Sequence, residues 1–539
     1  MRRLRIGILD VVESPTRALF ARVMNGNLAS IMPQVVATWC ERAGHQVHYV
    51  CYTGFGNALD ELPAELDLLF IGAFTQAAFF AYAISNYYRQ RGTVTVLGGP
   101  HARCYPEDSA RFFDYVLGFT DRAVVNEVLQ EHAPHRPLGR QVAAARQPLD
   151  LPTLAERWRF VEAATAKAAV FKIVPMIGSL GCPYTCSFCI DSTVEYQPLG
   201  FAQLGEDLRF LLGKVAKPVV GWHDPNFGVR FDDLMDAIEG AVPPGRMRHI
   251  AESSLSLLTE PHLARLKRNG FQALLPGVES WYDHGNKSKT RLTGMDKVRQ
   301  VSEHVNTVLR YIPYVRTNFV FGLDNEQGPE PFELTKRFLD ITPGVFAAYS
   351  LLTCYGRAAP LNLEYQRDGR VLPFPFQFLD SHQAMNVRPK NYAWPEFYDH
   401  VVDLSRYSYS ARGIARRFRI SRGVTRWFKL LEAVSWTGRT RYHTGIRRLL
   451  EEDPAVRSFV DQKTDRLPEH YQARIRQNLG PLYDLLPEGA LRHDHHAYLR
   501  TTEAAPAAGA QAAPAQVQLK PRAGRRRAAE TEESPRLSA

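Results

Sequence analysis

The chain has 539 residues, 45% of them apolar and 23% charged, values that exclude a wholly disordered or collagen-like protein. Its net charge of +10 is small for this length and unevenly placed, with 11 Lys or Arg and one acid, Glu432, between Ala411 and Leu450. Charge alone therefore points to no nucleic-acid partner, and the sequence carries no recognisable nucleic-acid module.

In chain order, residues 1–140 alternate short apolar runs with helical patterns. Strands are expected at LRIGILDVV, HQVHYVCY, DLLFIGAF, TVTVLGG and FDYVLGF. Helices are expected at MPQVVATWCERAG, AFFAYAISNYYRQRG and DRAVVNEVLQEH. Such alternation predicts a parallel sheet wrapped on both faces, with ligands at the carboxyl ends of its strands. The loops there hold Ser14, Thr75, Gln76, Gly98, Gly99, His101, Gly118 and Thr120. Leu68 to Tyr88 carries no formal charge and is long enough for a bilayer span of about 20 residues. A buried strand followed by a helix with polar residues explains it better. Arg2, Arg3 and Arg5 precede an apolar patch, but Asp10 and Glu13 interrupt it before a signal-peptide core can form.

Residues 141–170 are expected as a linker. A second alternating region, 171–373, follows with strands at FKIVPMIGSL, PVVGWHD, RHIAESS, FQALLPGVES, VRTNFVFGL and VFAAYSLLT. Helical stretches AQLGEDLRFLLGKV, DLMDAIEGA, EPHLARLKRNG and FELTKRFLD fall between them. Six strand–helix units predict an open or partial (β/α)6 barrel with its working face at the strand C-termini. Residues 374–502 read as mostly helical, and 503–539 as a disordered tail rich in Ala, Pro, Gly and Gln. The overall class is α/β.

Seven cysteines in this length are too few for a disulfide scaffold. Three of them, Cys182, Cys186 and Cys189, share the run GCPYTCSFC directly after a predicted strand. Clustered thiols of this kind fit a reducing, cytoplasmic setting and a metal site. A structural zinc takes four protein ligands, and no fourth Cys or His lies close by. A [4Fe–4S] cluster held by three thiolates leaves one iron open, which serves chemistry rather than structure. Buried free cysteines or a zinc clip are the plainer alternatives.

The spacing Cys182, Cys186 and Cys189, with Phe188 before the last, resembles the radical S-adenosylmethionine signature. The resemblance implies that the open iron binds S-adenosylmethionine, whose reductive cleavage gives a 5′-deoxyadenosyl radical, and that a one-electron reductant such as flavodoxin or ferredoxin is a partner. Other stretches resemble the superfamily in order. GWHDPNFGV is similar to its second-strand turn, so Asp224 and Asn226 are expected near the cosubstrate's amino end. The third strand ends at Glu252, Ser253 and Ser254. PGVES resembles the Gly-x-Glu-Ser element, which implies polar contacts from Glu279 and Ser280. NFVFGL resembles the glycine element at which Gly322 would let adenine approach the backbone. Ordinary strand-end capping is the alternative for each polar residue taken singly.

Beside this triad, residues 1–140 resemble the cobalamin-binding domain of cobalamin-dependent radical enzymes. The match rests on NLASIMPQVVATWCERAGHQVHYV and on VLGGPHARCYPEDSARFFDYVLGFTD, whose Gly98-Gly99-Pro100-His101 matches the family's Gly-Gly-x-His element. Where that family reads Gly-Glu-Gly-Glu, this sequence has Gly118-Phe119-Thr120-Asp121. The Asp-x-His-x-x-Gly motif is absent, which implies cobalt without a protein histidine below it. His101 is then read as a contact to the nucleotide tail or as a structural histidine.

FQFLDSHQAMNVRPKNYAWPEFYDH continues the resemblance to about residue 410, and Tyr392, Trp394, Phe397 and Tyr398 are expected either to roof the substrate or to pack a helix on the barrel mouth. For the basic, aromatic stretch 411–450, three roles stay open. It is a solvated helical face, a peripheral contact to an anionic membrane at the inner face, aided by Trp427, Phe428, Leu430 and Leu431, or a site for phosphorylated substrate or nucleic acid. RHDHHAYLR, near the end, resembles a metal-binding tract and, with a disordered tail following, reads as a solvated terminus. The resemblance implies C-methylation of an unactivated carbon of a small or lipid-like intermediate, with cobalamin as methyl carrier. The alternatives are a radical cyclisation, rearrangement or oxidation without methyl transfer, and a cofactor-binding sensor.

Overall fold

The computed structural model describes residues 2–16, 29–131, 138–168, 170–282 and 292–494. Its first sheet contains β1 (Arg5–Val11), β2 (Gln46–Tyr52), β3 (Leu68–Ala73), β4 (Val94–Gly98), β5 (Tyr115–Leu117) and β6 (Arg140–Val142). They lie in the order β2-β1-β3-β4-β5-β6, and every pair is parallel. Alternate residues explain why these runs are almost continuously apolar. Ile6, Ile8, Leu68, Phe70, Val94 and Val96 pack on one side with Val35 and Val125. Leu9, Leu69, Ile71, Leu97 and Val116 pack on the other with Phe79 and Phe80. A sheet covered on both faces needs apolar side chains at both parities. The chain order reverses between β1 and β3, and such a switch point opens a crevice at the strands' carboxyl ends.

The segment expected as a linker is instead structured. After β6, the helix Leu154–Ala166 begins at a capping box in which Thr153 and Glu156 satisfy each other's backbone N–H groups. Phe160 enters the first sheet's core. Buried Arg157 donates to Gln34 Oε1 (3.0 Å) and the Pro152 carbonyl (3.1 Å), and the Leu154 N–H donates to Asp207 Oδ1 (2.8 Å). A composition rich in Pro and Arg hid these apolar positions.

The second sheet is built from β7 (Ile173–Met176), β10 (Val219–Trp222), β11 (Arg248–Ala251), β12 (Phe271–Leu274), β13 (Gly277–Glu279), β14 (Tyr314–Phe321) and β15 (Phe346–Leu351). A two-stranded hairpin, β8 (Ser179–Leu180) with β9 (Gln197–Pro198), stands outside it. β12 and β13 are two halves of one strand, since both pair in parallel with β14. Pro276, which has no N–H to give a ladder, lies at the break. Counting them as one, six parallel strands run in chain order from β7 to β15. Helices Phe201–Lys214, Phe231–Ala241, Glu260–Arg268, Gly294–Tyr311 and Glu330–Ile341 connect them. The fourth of these, Gly294–Tyr311, is not among the helices read from the sequence.

Beyond β15 the chain is helical, with Trp394–Ser408, Ala411–Ile420, Gly423–Glu452, Pro454–Val460 and Glu469–Leu479. The expected tail 503–539 lies outside the described residues, as does RHDHHAYLR from residue 495 on. Among the described residues no helix is long and apolar enough to cross a membrane. Leu68–Tyr88 forms β3 and the helix Ala78–Arg89.

Candidate active site at the two strand edges

The cysteine run follows β7 and is closed at its base by the β8–β9 hairpin. Gly181 adopts φ +66°, and a Cβ there would stand 2.2 Å from the Glu195 carbonyl oxygen. Only glycine lets the loop fold back this tightly. The Cys182 N–H donates to the Val194 carbonyl (3.3 Å), and the Cys189 N–H to the Cys186 carbonyl (2.9 Å). Among the described residues none of the three thiols forms a disulfide; Cys186 is buried and the others are partly so. Burial pushes the Cys189 thiol up to about 11, the neighbouring Asp191, Cys186 and Cys182 adding to the shift, while the Asp191 N–H donates to its sulfur at 3.4 Å and opposes it. Among the described residues no three His, Cys, Asp or Glu side chains already form a chelating group. The donor set nevertheless suits an iron–sulfur cluster. It offers three soft sulfur ligands on one loop, and a cluster's positive iron would reverse the burial penalty on the thiolates.

Other elements brace this loop. Arg103, just past β4, donates to Asp191 Oδ1 (3.1 Å) and the Ile190 carbonyl (2.9 Å), and lies over the Phe119 ring. The Leu361 N–H donates to the Ser187 carbonyl (2.9 Å). Asp224, expected to contact cosubstrate, accepts from the Gly178 N–H (3.0 Å) and Ser179 Oγ (2.6 Å). It therefore anchors the turn that leads into the cysteine run. Burial raises its pKa to about 6.

Asn226 and Ser254 meet each other, with Asn226 Oδ1 accepting from the Ser254 N–H (2.9 Å) and Oγ (3.2 Å). The Asn226 Nδ2 group is buried without a protein partner. Ser253 donates to the Phe227 carbonyl (2.9 Å), and Glu252 is exposed. Ser280 donates to Glu326 Oε1 (2.9 Å), and Glu326 also accepts from the Gly322 N–H (2.9 Å). Glu326 is a residue that sequence reading missed. It is fully buried, and loss of solvent raises its pKa to about 7. Its only sequence signal is its place four residues after the β14 glycine. Glu279 has φ +65°, a left-handed conformation that is strained for a non-glycine residue. Its carboxylate folds over Gly277, where a Cβ would meet Glu279 Oε1 at 2.1 Å. Gly322 is also needed, with φ +99°, but the group that closes on it is Met385, whose Sδ and Cε lie 2.8 Å from the position of a Cβ.

At the first sheet, a cavity of about 360 Å³ opens beside the carboxyl ends of β3, β4 and β5. Gly98, Gly99, Gly118 and Thr120 line it together with Phe74 and Phe119. Nothing stands within 4 Å of a Cβ placed on Gly98, whereas one on Gly99, at φ +87°, would press on the Ala73 backbone at 3.0 Å. Leu180, Gly181, Ile190, Asp191, His223 and Pro225 also belong to its wall, so the cysteine loop and the glycine edge share one cavity. His223, also missed, is held neutral by burial, with its pKa lowered to about 4.

Two expected contacts are corrected. Thr75 is buried and lines no part of this cavity. His101 is fully buried on the other side of its helix, hydrogen-bonded through Nε2 to the Tyr82 hydroxyl (2.7 Å), which also reaches Asp108 (2.8 Å). Its ring packs on Phe376 at 4.7 Å, and burial drives its pKa to about 3. It is a structural histidine because the one-turn helix Pro100–Cys104 carries it away from the strand edge. Ser14 donates to the Gln76 carbonyl. Tyr392, Trp394, Phe397 and Tyr398 form no roof. All are buried, with Trp394 donating to the Val460 carbonyl (3.2 Å) and Tyr392 to the Gly328 carbonyl (3.1 Å).

No protein-family model matches the chain. In sequence it is similar to the bacteriochlorophyllide d C-12(1)-methyltransferase of Chlorobaculum tepidum, 23% identical over 67% of this chain and 79% of the relative. It is also similar to that organism's bacteriochlorophyllide d C-8(2)-methyltransferase, 28% identical over 40% of this chain and 50% of the relative. In fold it matches the radical S-adenosylmethionine methyltransferase TsrM of Kitasatospora setae, solved with cobalamin and a [4Fe–4S] cluster bound. That match has a TM-score of 0.52 and 14% identity, and spans 84% of this chain and 100% of TsrM. The chain is thus similar in sequence to two methyltransferases and in fold to a radical S-adenosylmethionine methyltransferase. In this chain a glycine-lined sheet edge and the cysteine loop border one cavity.

Proposed function

We propose that this enzyme uses a [4Fe–4S] cluster, S-adenosylmethionine and cobalamin to methylate an unactivated carbon of a small or lipid-like biosynthetic intermediate. The observation that carries the reading is the shared cavity, which joins Gly98, Gly99, Gly118 and Thr120 to the wall of the cysteine loop. In this reading residues 1–140 form a Rossmann-like cobalamin-binding domain and 171–373 a partial barrel. When bound, these cofactors supply a one-electron route to a carbon radical and a transferable methyl group.

The chain's own residues hold and orient. Cys182, Cys186 and Cys189 would ligate the cluster, and Arg103 keeps their loop against the first sheet. Gly98 and Gly99 leave a flat floor for a large ring, while neutral His223 and the apolar wall exclude water. Asn226, Ser254, Glu279 and Ser280 are assigned to the cosubstrate's polar groups, with the orphaned Asn226 Nδ2 as a donor awaiting an acceptor. A one-electron donor such as flavodoxin or ferredoxin would supply the reduction.

The test is anaerobic reconstitution with iron, sulfide and cobalamin, followed by incubation with S-adenosylmethionine, a reductant and a cell extract. Formation of 5′-deoxyadenosine together with a product heavier by one methylene supports the proposal. Deoxyadenosine with a product of unchanged carbon count would favour rearrangement or oxidation. No deoxyadenosine would refute radical chemistry.

A further inference from the structure

The long helix Gly423–Glu452 has two unlike faces. Lys429, Glu432, Ala433, Trp436, His443, Ile446 and Leu450 are buried. Lys429 Nζ donates to the Gly344 carbonyl (2.6 Å), and the Tyr314 hydroxyl donates to Glu432. Phe428 packs on Phe171 at 5.6 Å and Tyr314 at 5.2 Å, and Trp436 on Phe346 at 6.1 Å. These contacts fix the helix rotation at the amino-terminal ends of β14 and β15. The opposite face shows Val424 (79% exposed), Trp427 (59%), Leu431 (40%) and Val434 (51%), continued by Ile420 (48%) from the end of the preceding helix. Their spacing of three and four residues makes one continuous stripe. A ring this large left in water beside three branched side chains marks a contact surface rather than scattered apolar exposure.

The stripe is framed by exposed Arg412, Arg416, Arg419 and Arg422, with Arg441 and Arg448 further along. The one acid between residues 411 and 450, Glu432, is buried on the far face. We infer that this stripe and its arginine rim dock the enzyme peripherally on an anionic lipid bilayer, with Trp427 and Leu431 entering the interface and the arginines meeting headgroup phosphates. The charge pattern disfavours the other occupants. A second copy would set one arginine rim against another. Residues 500–539 carry seven Lys or Arg and four acids, so that segment is repelled as well. The stripe lies at strand amino ends, whereas the cysteine run follows the carboxyl end of β7, so docking leaves the shared cavity facing away from the lipid.

The test is sedimentation of the full chain with vesicles of phosphatidylcholine alone and with about 30% phosphatidylglycerol. Binding at least about tenfold stronger to the anionic vesicles, released by about 0.5 M salt, is expected. Trp427→Glu with Leu431→Glu should lower that binding at least tenfold, with an unchanged thermal melt and unchanged cluster absorption. Arg419→Glu with Arg422→Glu, which leaves the apolar stripe intact, should remove the preference for anionic lipid. Equal binding to both vesicles, binding to neither, or full binding by both variants overturns the inference. So does a dimer in analytical ultracentrifugation that Trp427→Glu with Leu431→Glu dissociates, which would make the stripe an interface between copies.

Discussion

At the carboxyl edge of the first sheet, space is made by leaving side chains out: Gly98, Gly99 and Gly118 with Thr120 border an apolar cavity. At the carboxyl edge of the second sheet, the same kind of strand end is filled with buried hydrogen-bonding groups. Asp224 grips Gly178 and Ser179, Asn226 grips Ser254, and Glu326 grips Ser280 and Gly322. In the proposed reading the first edge gives a bulky cofactor its shape, and the second gives a flexible, charged cosubstrate fixed donors and acceptors. Preorganised polar groups cost stability when desolvated and are kept where they hold something in place.

The contrast can be broken most severely at the cysteine loop. Replacing Cys182, Cys186 and Cys189 together with Ala should abolish absorption near about 400 nm and all 5′-deoxyadenosine formation. Cobalamin retention should survive, because the glycine edge is untouched. Chemical iron analysis and product quantification check both halves.

Gly99→Val attacks the other edge. It forces a branched residue to φ +87° with its Cβ 3.0 Å from Ala73 backbone atoms, a conformation that costs about 1–2 kcal/mol before any clash. Cobalamin recovery should fall at least about tenfold while the reconstituted cluster stays intact; equal recovery would show that this edge does not seat the cofactor.

Glu326→Gln probes what the polar edge costs. The Glu326 pKa rises from 4.5 to about 7 on folding, so the folded chain keeps a proton that the unfolded chain has lost between those values. Stability therefore falls as pH climbs through that window. The variant should lose part of this fall, on the order of 1–3 kcal/mol between pH 5 and 8, read from urea midpoints. Asp10 and Asp224, raised to about 7 and about 6, should leave a residual slope of the same sign.

The smallest effect belongs to the bridge between the edges. Arg103→Lys keeps the charge but cannot reach both Asp191 and the Ile190 carbonyl. Cofactor loading should be unchanged, and the ratio of methylated product to deoxyadenosine should drop about two- to fivefold, in keeping with a partly exposed ion pair worth under about 1 kcal/mol.

Much of this architecture was legible in the sequence because it is local. Apolar runs buried on both faces and helices between them announce parallel sheets, and three thiols within one loop mark a candidate metal site by their spacing. The Gly181 and Gly99 turns are equally local, since a positive φ selects glycine whatever surrounds it. Side-chain direction is not local. Only the tertiary structure turned His101 into the core beside Tyr82 and Phe376, turned Asp224 back onto the cysteine turn, and brought Glu326 beneath Ser280 from 46 residues away. Composition also could not say that a Pro- and Arg-containing segment would cap a helix and bury Phe160, or which face of a basic helix would meet solvent. That face was decided by Lys429, Glu432 and Trp436 finding partners on β14, on β15 and in the loop before it. Backbone propensity and spacing are properties of the chain, but the partner of a buried polar group is a property of the fold.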